Sequence, residues 1–451
     1  MDTKMATITS APATSSGLQR WLKQRGMEGQ AVELRQVGVE GRGLVATRRI
    51  RAGECLLQVP RAAIIDAEMA VEKSVLARRV KEQDGDEWAV MATYLAEAKA
   101  RSQRGKPTEC EPYLQALPKS TGCVFEWTEK EVQTLLRGSC VQDDAKMLQK
   151  QLQEAVGMVL EAAKSGGEEA EVKLDAKGIT WAYSQLLSRM VRLETNENLL
   201  SLVPWADMLN HSTSSNAHID WDPKSETVVL RTDREYDEGE QVYASYGNRS
   251  SGELLLSYGF VPALGTNPYD MAKLQLRVDP RDPMAETKEA LLEELGLGFE
   301  ESFPVRIDGV PDVLLKYARL VAARGESSED IAALGKRLLL ETGDKPVPVD
   351  LEIQARRLLV EACQKALKGY PKTMEEDRQA MKTFGDVEEE SAVAETPPGR
   401  VSAAAALRVR ERQILNRTEF ALRDQVRLLK AEGVAKPRGN PVQGFLGRFF
   451  Q

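Results

Sequence analysis

Histidine is almost absent: His211 and His218 are the only two in 451 residues, and the five cysteines, Cys55, Cys110, Cys123, Cys140 and Cys363, never form a Cys-x-x-Cys pair. Zinc sites draw on such clusters, so no protein-bound metal is expected. Scattered thiols in odd number give no disulfide framework either. No apolar run reaches the length of about eighteen residues that a membrane-spanning helix needs. Positive charge is in deficit, with 61 Lys and Arg against 69 Asp and Glu and a formal net charge of -8. Phosphate backbones and anionic lipid surfaces repel such a chain, which argues against nucleic acid and membrane as partners. The opening MDTKMATITSAPATSS has no arginine and no apolar core. Its Ala, Ser and Thr content suits either a disordered start or a short targeting segment over residues 1–16.

What is present is the composition of a globular protein, 42% hydrophobic and 29% charged. The length allows roughly two or three domains, each with its own core. Leu18, Trp21 and Leu22 have helical spacing, stopped at Gly26. Between Val32 and Ile65, strand-like runs at Val37 to Val39, Leu44 to Ala46 and Cys55 to Val59 are broken by Gly41, Gly43 and Gly53. At Trp88 the period changes, because Trp88, Met91, Ala92 and Leu95 share one helical face. Helical patterns, including Met147 to Ala163, then run to about Leu193. The acidic stretch Lys164 to Gly178 reads as a solvated insert. Strands return after Leu199, at Val228 to Leu230 and Glu240 to Tyr246, with Asp237, Glu238 and Gly239 as a turn. Beyond Pro268 the chain reads as mostly helical, with stripes at Leu351, Leu358, Leu359, Ala362 and at Leu415, Leu422, Val426, Leu429. The acidic, diproline segment Glu388 to Gly399 is expected to be a disordered connection between two long helices. The fold class is therefore α+β.

Four short motifs carry candidate chemistry, and each also has a plain structural explanation. In Val39-Glu40-Gly41-Arg42-Gly43-Leu44 the glycines permit positive φ and close approach of a ligand to the main chain, although a hairpin turn alone is the commoner cause. Asn210-His211-Ser212 can present backbone amides and a flat imidazole to a heterocycle, or form an ordinary Asx turn. In Gly239 to Gly247 the alternation suggests a strand running toward Tyr246, its phenol at the mouth of a site or capping the core. Leu254-Leu255-Leu256-Ser257-Tyr258-Gly259-Phe260 is apolar enough to be core alone.

Taken in order along one chain, these motifs resemble the SET-domain methyltransferases, and more closely the plant-type ribulose bisphosphate carboxylase (Rubisco) large-subunit lysine methyltransferases. The resemblance covers almost the whole chain, including the closing Gly444 to Phe450. It implies a SET-type β-fold split by a helical insertion and followed by a mostly α-helical domain. The segments would be 17–100 and 186–266 for the SET halves, 101–185 for the insertion and 267–451 for the substrate-binding domain. The implied cofactor is S-adenosylmethionine, bound by Glu40, Gly41, Arg42, Asn210, His211, Tyr246 and Phe260, with Arg189 facing its methionine carboxylate. Tyr246 matches the catalytic tyrosine, and Ser188, Arg192 and Tyr258 match substrate-site positions. The chain departs from the family spacing at Glu194 to Asn198 and in the loop after Ser212.

The implied activity is methylation of a protein lysine by a monomeric enzyme of the chloroplast stroma, or alternatively of the cytoplasm. The Rubisco large subunit and fructose-bisphosphate aldolase are the targets that the resemblance suggests. Two other readings stand beside it: a non-catalytic scaffold built on the same fold, and a histidine-directed methyltransferase. A hydrogen-bonding group such as asparagine in the pocket would favour histidine, and an electron-rich aromatic pocket would favour lysine.

Overall fold

The computed structural model describes residues 8–9, 13–164, 172–195, 198–294, 296–339, 347–383 and 391–434. Most of the 1–16 segment and the closing 444–450 motif lie outside the described residues, as does the centre of the acidic insert. Two compact units divide the chain, Met1–Asp270 with Lys372–Arg410, and Met271–Pro371 with Glu411–Gln451. The chain thus returns to its first unit after leaving it.

Small sheets of two or three strands frame the first unit. β1 (Ile8–Thr9), β2 (Val32–Val37) and β3 (Arg42–Ala46) form one, in which Leu34 lies opposite Leu44. β4 (Cys55–Pro60) and β5 (Ile65–Asp66) begin two others. These are completed by β6 (Val191–Leu193) and β7 (Leu199–Leu202) beside β5, and by β9 (Ile219–Asp222) and β10 (Thr227–Arg231) beside β4. β8 (Asn210–His211) pairs with β11 (Tyr243–Ala244), and β12 (Phe260–Val261) pairs with a strand from much later in the chain.

The helices of this part of the chain are α1 (Ala13–Gln24), ahead of β2, and, between β5 and β6, α2 (Ala67–Lys73), α3 (Val75–Glu82), α4 (Glu87–Gln103), α5 (Glu111–Ala116), α6 (Glu129–Leu135), α7 (Gln142–Lys164) and α8 (Ala176–Arg189). Side chains placed in the sequence start several of them: Asp66, Ser74, Asp86 and Asp175 each accept an N-terminal amide of the following helix. α4 is buried at every position from Ala89 to Ala98, so it forms a central rod, packed by α3 and α8, and not an amphipathic surface helix. α9 (Ser251–Tyr258) opens on a capping box from Ser250 and Glu253 and closes on left-handed Gly259.

The second unit contains a strand pair within the stretch that the sequence marks as mostly helical. β13 (Met271–Arg277) and β14 (Glu300–Arg306) run antiparallel in unbroken register, with Ala272, Leu274 and Leu276 buried alternately along β13. That period of two is legible in the sequence and was obscured by the helical stripes beyond it. α10 (Ala285–Glu293), α11 (Asp312–Ala322), α12 (Ser328–Leu339) and α13 (Val349–Gly369) complete the unit's core, joined by Ile414, Leu415 and Leu422.

The returning segment brings α14 (Met374–Thr383), β15 (Ala392–Val393) and the start of α15 (Pro397–Val434). Of the disordered connection anticipated at Glu388 to Gly399, residues 388–390 lie outside the described residues and the rest is corrected here: β15 pairs with β12, Phe260 opposite Val393, and the diproline opens a 38-residue helix. Proline suits that place because the first turn of a helix needs no amide donor. Ala403 to Val409 are buried with Val124, Trp127, Val132, Leu255 and Leu256, the run of alanines permitting close approach. No helix among the described residues is long and apolar enough to cross a membrane.

Candidate active site

Residues 240 to 244 run between two parts of the chain. On one side Ala46 donates to the Glu240 carbonyl (2.9 Å) and Val242 to that of Leu44 (2.8 Å). On the other, Tyr243 and Ala244 pair in parallel with Asn210 and His211. This juxtaposition brings the first three motifs together. Gly43 lies so close that a Cβ would sit 2.9 Å from both Asn210 Nδ2 and Gln241 Nε2, so any larger residue would push both amides from their places. Gly41 has φ +77° with open space where a Cβ would be, which leaves the main chain accessible. The Glu40 carboxylate accepts from Gln241 Nε2 (2.9 Å) and Asn210 Nδ2 (3.4 Å), and Asn210 also donates to the Arg42 carbonyl (3.2 Å). Gln241 was not anticipated, although it sits inside the third motif.

Tyr246 departs from its expected setting. The strand stops at Ala244, the chain turns at Gly247 (φ +91°), and the phenol is held inside, donating to the Leu209 carbonyl at 2.6 Å. Its amide donates to His211 Nδ1 at 3.0 Å, which requires an unprotonated nitrogen there. Burial lowers the His211 pKa, partly opposed by the Ala244 carbonyl, and so favours that neutral form. Burial also drives the Tyr246 phenol well above its ordinary pKa, keeping it a donor. The Tyr246 ring stacks on His211 (centroids 5.0 Å) and lies 4.5 Å from Tyr258, while Phe260 is 6.3 Å from His211. Leu209 is presented by a single 3-10 turn that follows Trp205, a fully buried residue forced to φ +84°. A non-glycine residue in that region is strained, and strain of this kind concentrates at functional sites.

A buried ion pair forms another wall. Arg189, the last residue of α8, donates through Nη1 to the Asp207 carbonyl (2.7 Å) and pairs with its carboxylate (3.5 Å). Tyr113 donates to the same carboxylate at 2.5 Å. Burial raises the Asp207 pKa against the pull of Arg189, and lowers that of Arg42, which Arg189 lowers further. Arg189 Nε and Asp207 Oδ1 are buried without a hydrogen-bond partner. Asp207 and Tyr113 were missed: Asp207 lies in the second motif but its partner is 94 residues away.

Every expected site residue except Arg192 lines one cavity of about 320 Å³. Ser188 lines it while its hydroxyl bonds back to the Ser184 carbonyl (3.0 Å). Arg192 is exposed on β6 and donates to the Asn198 carbonyl at 2.9 Å, away from the cavity. It stands next to the stretch where the family spacing breaks, apart from the other expected site residues. Ser391, Val393 and Glu395 supply lining that the sequence did not suggest. The cavity lies in the size range of small-molecule cofactor sites. Its open glycine turn, orphaned guanidinium donor and aromatic faces suit a ligand with a carboxylate, a heterocycle and a sulfonium cation.

The SET domain family matches residues 41–247, and the family described as Rubisco LSMT substrate-binding matches residues 279–415. The chain is 26% identical over 476 aligned positions to the chloroplastic ribulose-1,5 bisphosphate carboxylase/oxygenase large subunit N-methyltransferase of Pisum sativum, covering 99% of this chain and 92% of that protein. It is also 26% identical over 444 positions to the actin-histidine N-methyltransferase of Canis lupus familiaris, covering 93% and 71%. A solved structure, the SET domain of LSMT bound to lysine and AdoHcy, shares the fold with a TM-score of 0.72 at 23% identity, over 96% of this chain and all of that one. With a SET domain followed by a Rubisco LSMT substrate-binding domain, the chain belongs to the SET-domain methyltransferases.

Proposed function

We propose that this chain transfers a methyl group from S-adenosylmethionine to the side-chain amine of a lysine in a protein. The observation that carries the proposal is the Tyr246 hydroxyl, fixed on the Leu209 carbonyl at 2.6 Å beside the ring of Tyr258. When bound, the cofactor supplies an activated sulfonium methyl, which an uncharged amine displaces in line. The protein's task is to deliver that amine unprotonated and aligned. A free lysine has a pKa of about 10.4. A cavity that also holds the Arg42 and Arg189 guanidiniums disfavours a further cation, by desolvation and by like charge.

The Tyr246 hydroxyl spends its proton on Leu209, so its oxygen lone pairs are free to accept from the amine N–H and turn the nitrogen lone pair toward the methyl. Arg189, through its unused Nε, would hold the methionine carboxylate, with Arg42 nearby. Glu40 and Asn210 keep the Gly41 turn open for main-chain contact. His211 and Phe260 offer flat faces to the rest of the cofactor. Positioning therefore supplies most of the rate.

Lysine is favoured over histidine because the Asn210 Nδ2 group donates to Glu40 and to the Arg42 carbonyl and so is not free to donate to an imidazole nitrogen. The paired rings of Tyr246 and Tyr258 instead suit an alkylammonium or its conjugate amine. As target we propose a soluble protein of the chloroplast stroma, the Rubisco large subunit or fructose-bisphosphate aldolase. The chloroplastic pea relative and the match to the substrate-binding family support that choice.

The test is transfer from methyl-labelled S-adenosylmethionine into a soluble extract of the source cells, read by mass spectrometry. Labelled lysine on one protein supports the proposal and names the target; labelled histidine redirects it. Cofactor binding without any label leaves only the scaffold.

A further inference from the structure

Three carboxylates line the cavity, and two of them are committed. Glu40 is held by Gln241 and Asn210, and Asp207 by Tyr113 and Arg189. The third, Glu395, makes no side-chain hydrogen bond or ion pair within the described chain, and its side chain is open to the cavity.

The main chain around Glu395 is nonetheless tightly held. Ala394 donates to the Gly259 carbonyl at 2.7 Å, and Ser120 donates to the carbonyl of Glu395 at 3.3 Å. Gly122 approaches so closely that a Cβ there would sit 2.7 Å from the Ala394 carbonyl carbon and 2.8 Å from Glu395 N. A rigid strap therefore presents one uncommitted carboxylate to a cavity that also exposes Arg42 and Arg189. Burial and Glu126 raise the pKa of Glu395, while both arginines lower it.

The complementary ligand carries an anion and a cation on adjacent atoms, as an α-amino acid zwitterion does. Resting on the methyltransferase reading, we propose that Glu395 receives the α-ammonium group of the cofactor's methionine moiety while Arg189 and Arg42 take its carboxylate. Glu395 is then a cofactor-recognition residue supplied from outside the SET match at 41–247, by the segment that returns to the first unit.

Calorimetric titration of the full chain with S-adenosylhomocysteine, and with its analogue lacking the α-amino group, tests this. Glu395→Gln keeps the shape of the side chain and breaks no internal bond. The variant should bind S-adenosylhomocysteine about tenfold more weakly, as loss of a charge-assisted bond predicts. Its affinity for the desamino analogue should match that of the wild type. Equal losses for both ligands, or no loss for either, overturn the assignment of Glu395. A wild-type chain that fails to bind S-adenosylhomocysteine overturns the methyltransferase reading along with it, so the two failures are distinguishable.

Discussion

Tyr246 is restrained at three points: its amide by His211, its ring by Tyr258 and its hydroxyl by Leu209. Tyr246→Phe leaves the first two and removes the third, and with it the acceptor proposed for the target amine. Turnover should fall by about a hundredfold or more, the usual scale for losing a positioned proton-handling group. Calorimetry should find S-adenosylhomocysteine affinity within about threefold of wild type. A variant that methylates at the wild-type rate would remove Tyr246 from the mechanism. His211 gives a second residue-scale prediction, because its bond from the Tyr246 amide exists only while Nδ1 is unprotonated. Its folded pKa is lowered by burial, so its contribution to stability is present above the unfolded histidine pKa of about 6.5 and is lost as pH falls through the folded value. In a His218→Asn chain the sole imidazole is His211, and an NMR titration should give a midpoint below 6.5. A midpoint above that value would contradict the hydrogen bond.

At the level of elements, the join between α9 and β12 depends on Gly259. It is left-handed (φ +76°), and a Cβ would lie 2.1 Å from the Thr121 carbonyl oxygen, itself part of the chain segment that abuts Ala394. Gly53 has the same φ but open space around it, so the two sites separate conformational cost from steric cost. Gly53→Ala should cost about 1 kcal/mol, whereas Gly259→Ala should cost about 3 kcal/mol or more by forcing main chain apart. The check is differential scanning calorimetry of the two variants, where comparable melting temperatures would show that the contact at Gly259 yields easily. Much of this element map is legible in the sequence where the signal is local. The strands around Leu44 and Leu57 and the glycine turn at Gly41 follow from neighbouring residues. What escaped was set by remote partners: β15 acquires its strand character only by pairing with Phe260, and Asp207 acquires its burial only against Tyr113 and Arg189. Arg192 differs in the opposite sense: a motif match set it beside the site, and its side chain is exposed on β6, outside the cavity lining.

For the molecule as a whole, the segment 372–410 that returns to the first unit is braced internally by a buried charge pair between its two helices. Asp377 on α14 and Arg408 on α15 are both almost wholly inaccessible, and Arg408 Nε donates to Asp377 Oδ2 at 3.1 Å. Asp377→Ala would remove the carboxylate that neutralises a buried guanidinium and should destabilise the first unit by about 3–5 kcal/mol. Combining Asp377→Asn with Arg408→Met should recover most of that loss, again read by calorimetry. A single variant with unchanged melting would show that solvent reaches the pair. The same return has a consequence in time. The cavity wall needs Glu40 from the beginning of the chain and Glu395 from near its end. At translation rates of about 5–20 residues per second, roughly 20–70 s separate the synthesis of those two residues. During that interval the nascent first unit carries Val124, Trp127, Leu255 and Leu256 without the alanine face that covers them. The protein's greatest exposure to aggregation and to chaperones therefore falls before residues 372–410 are made, and its ability to bind ligand should appear abruptly once they have emerged.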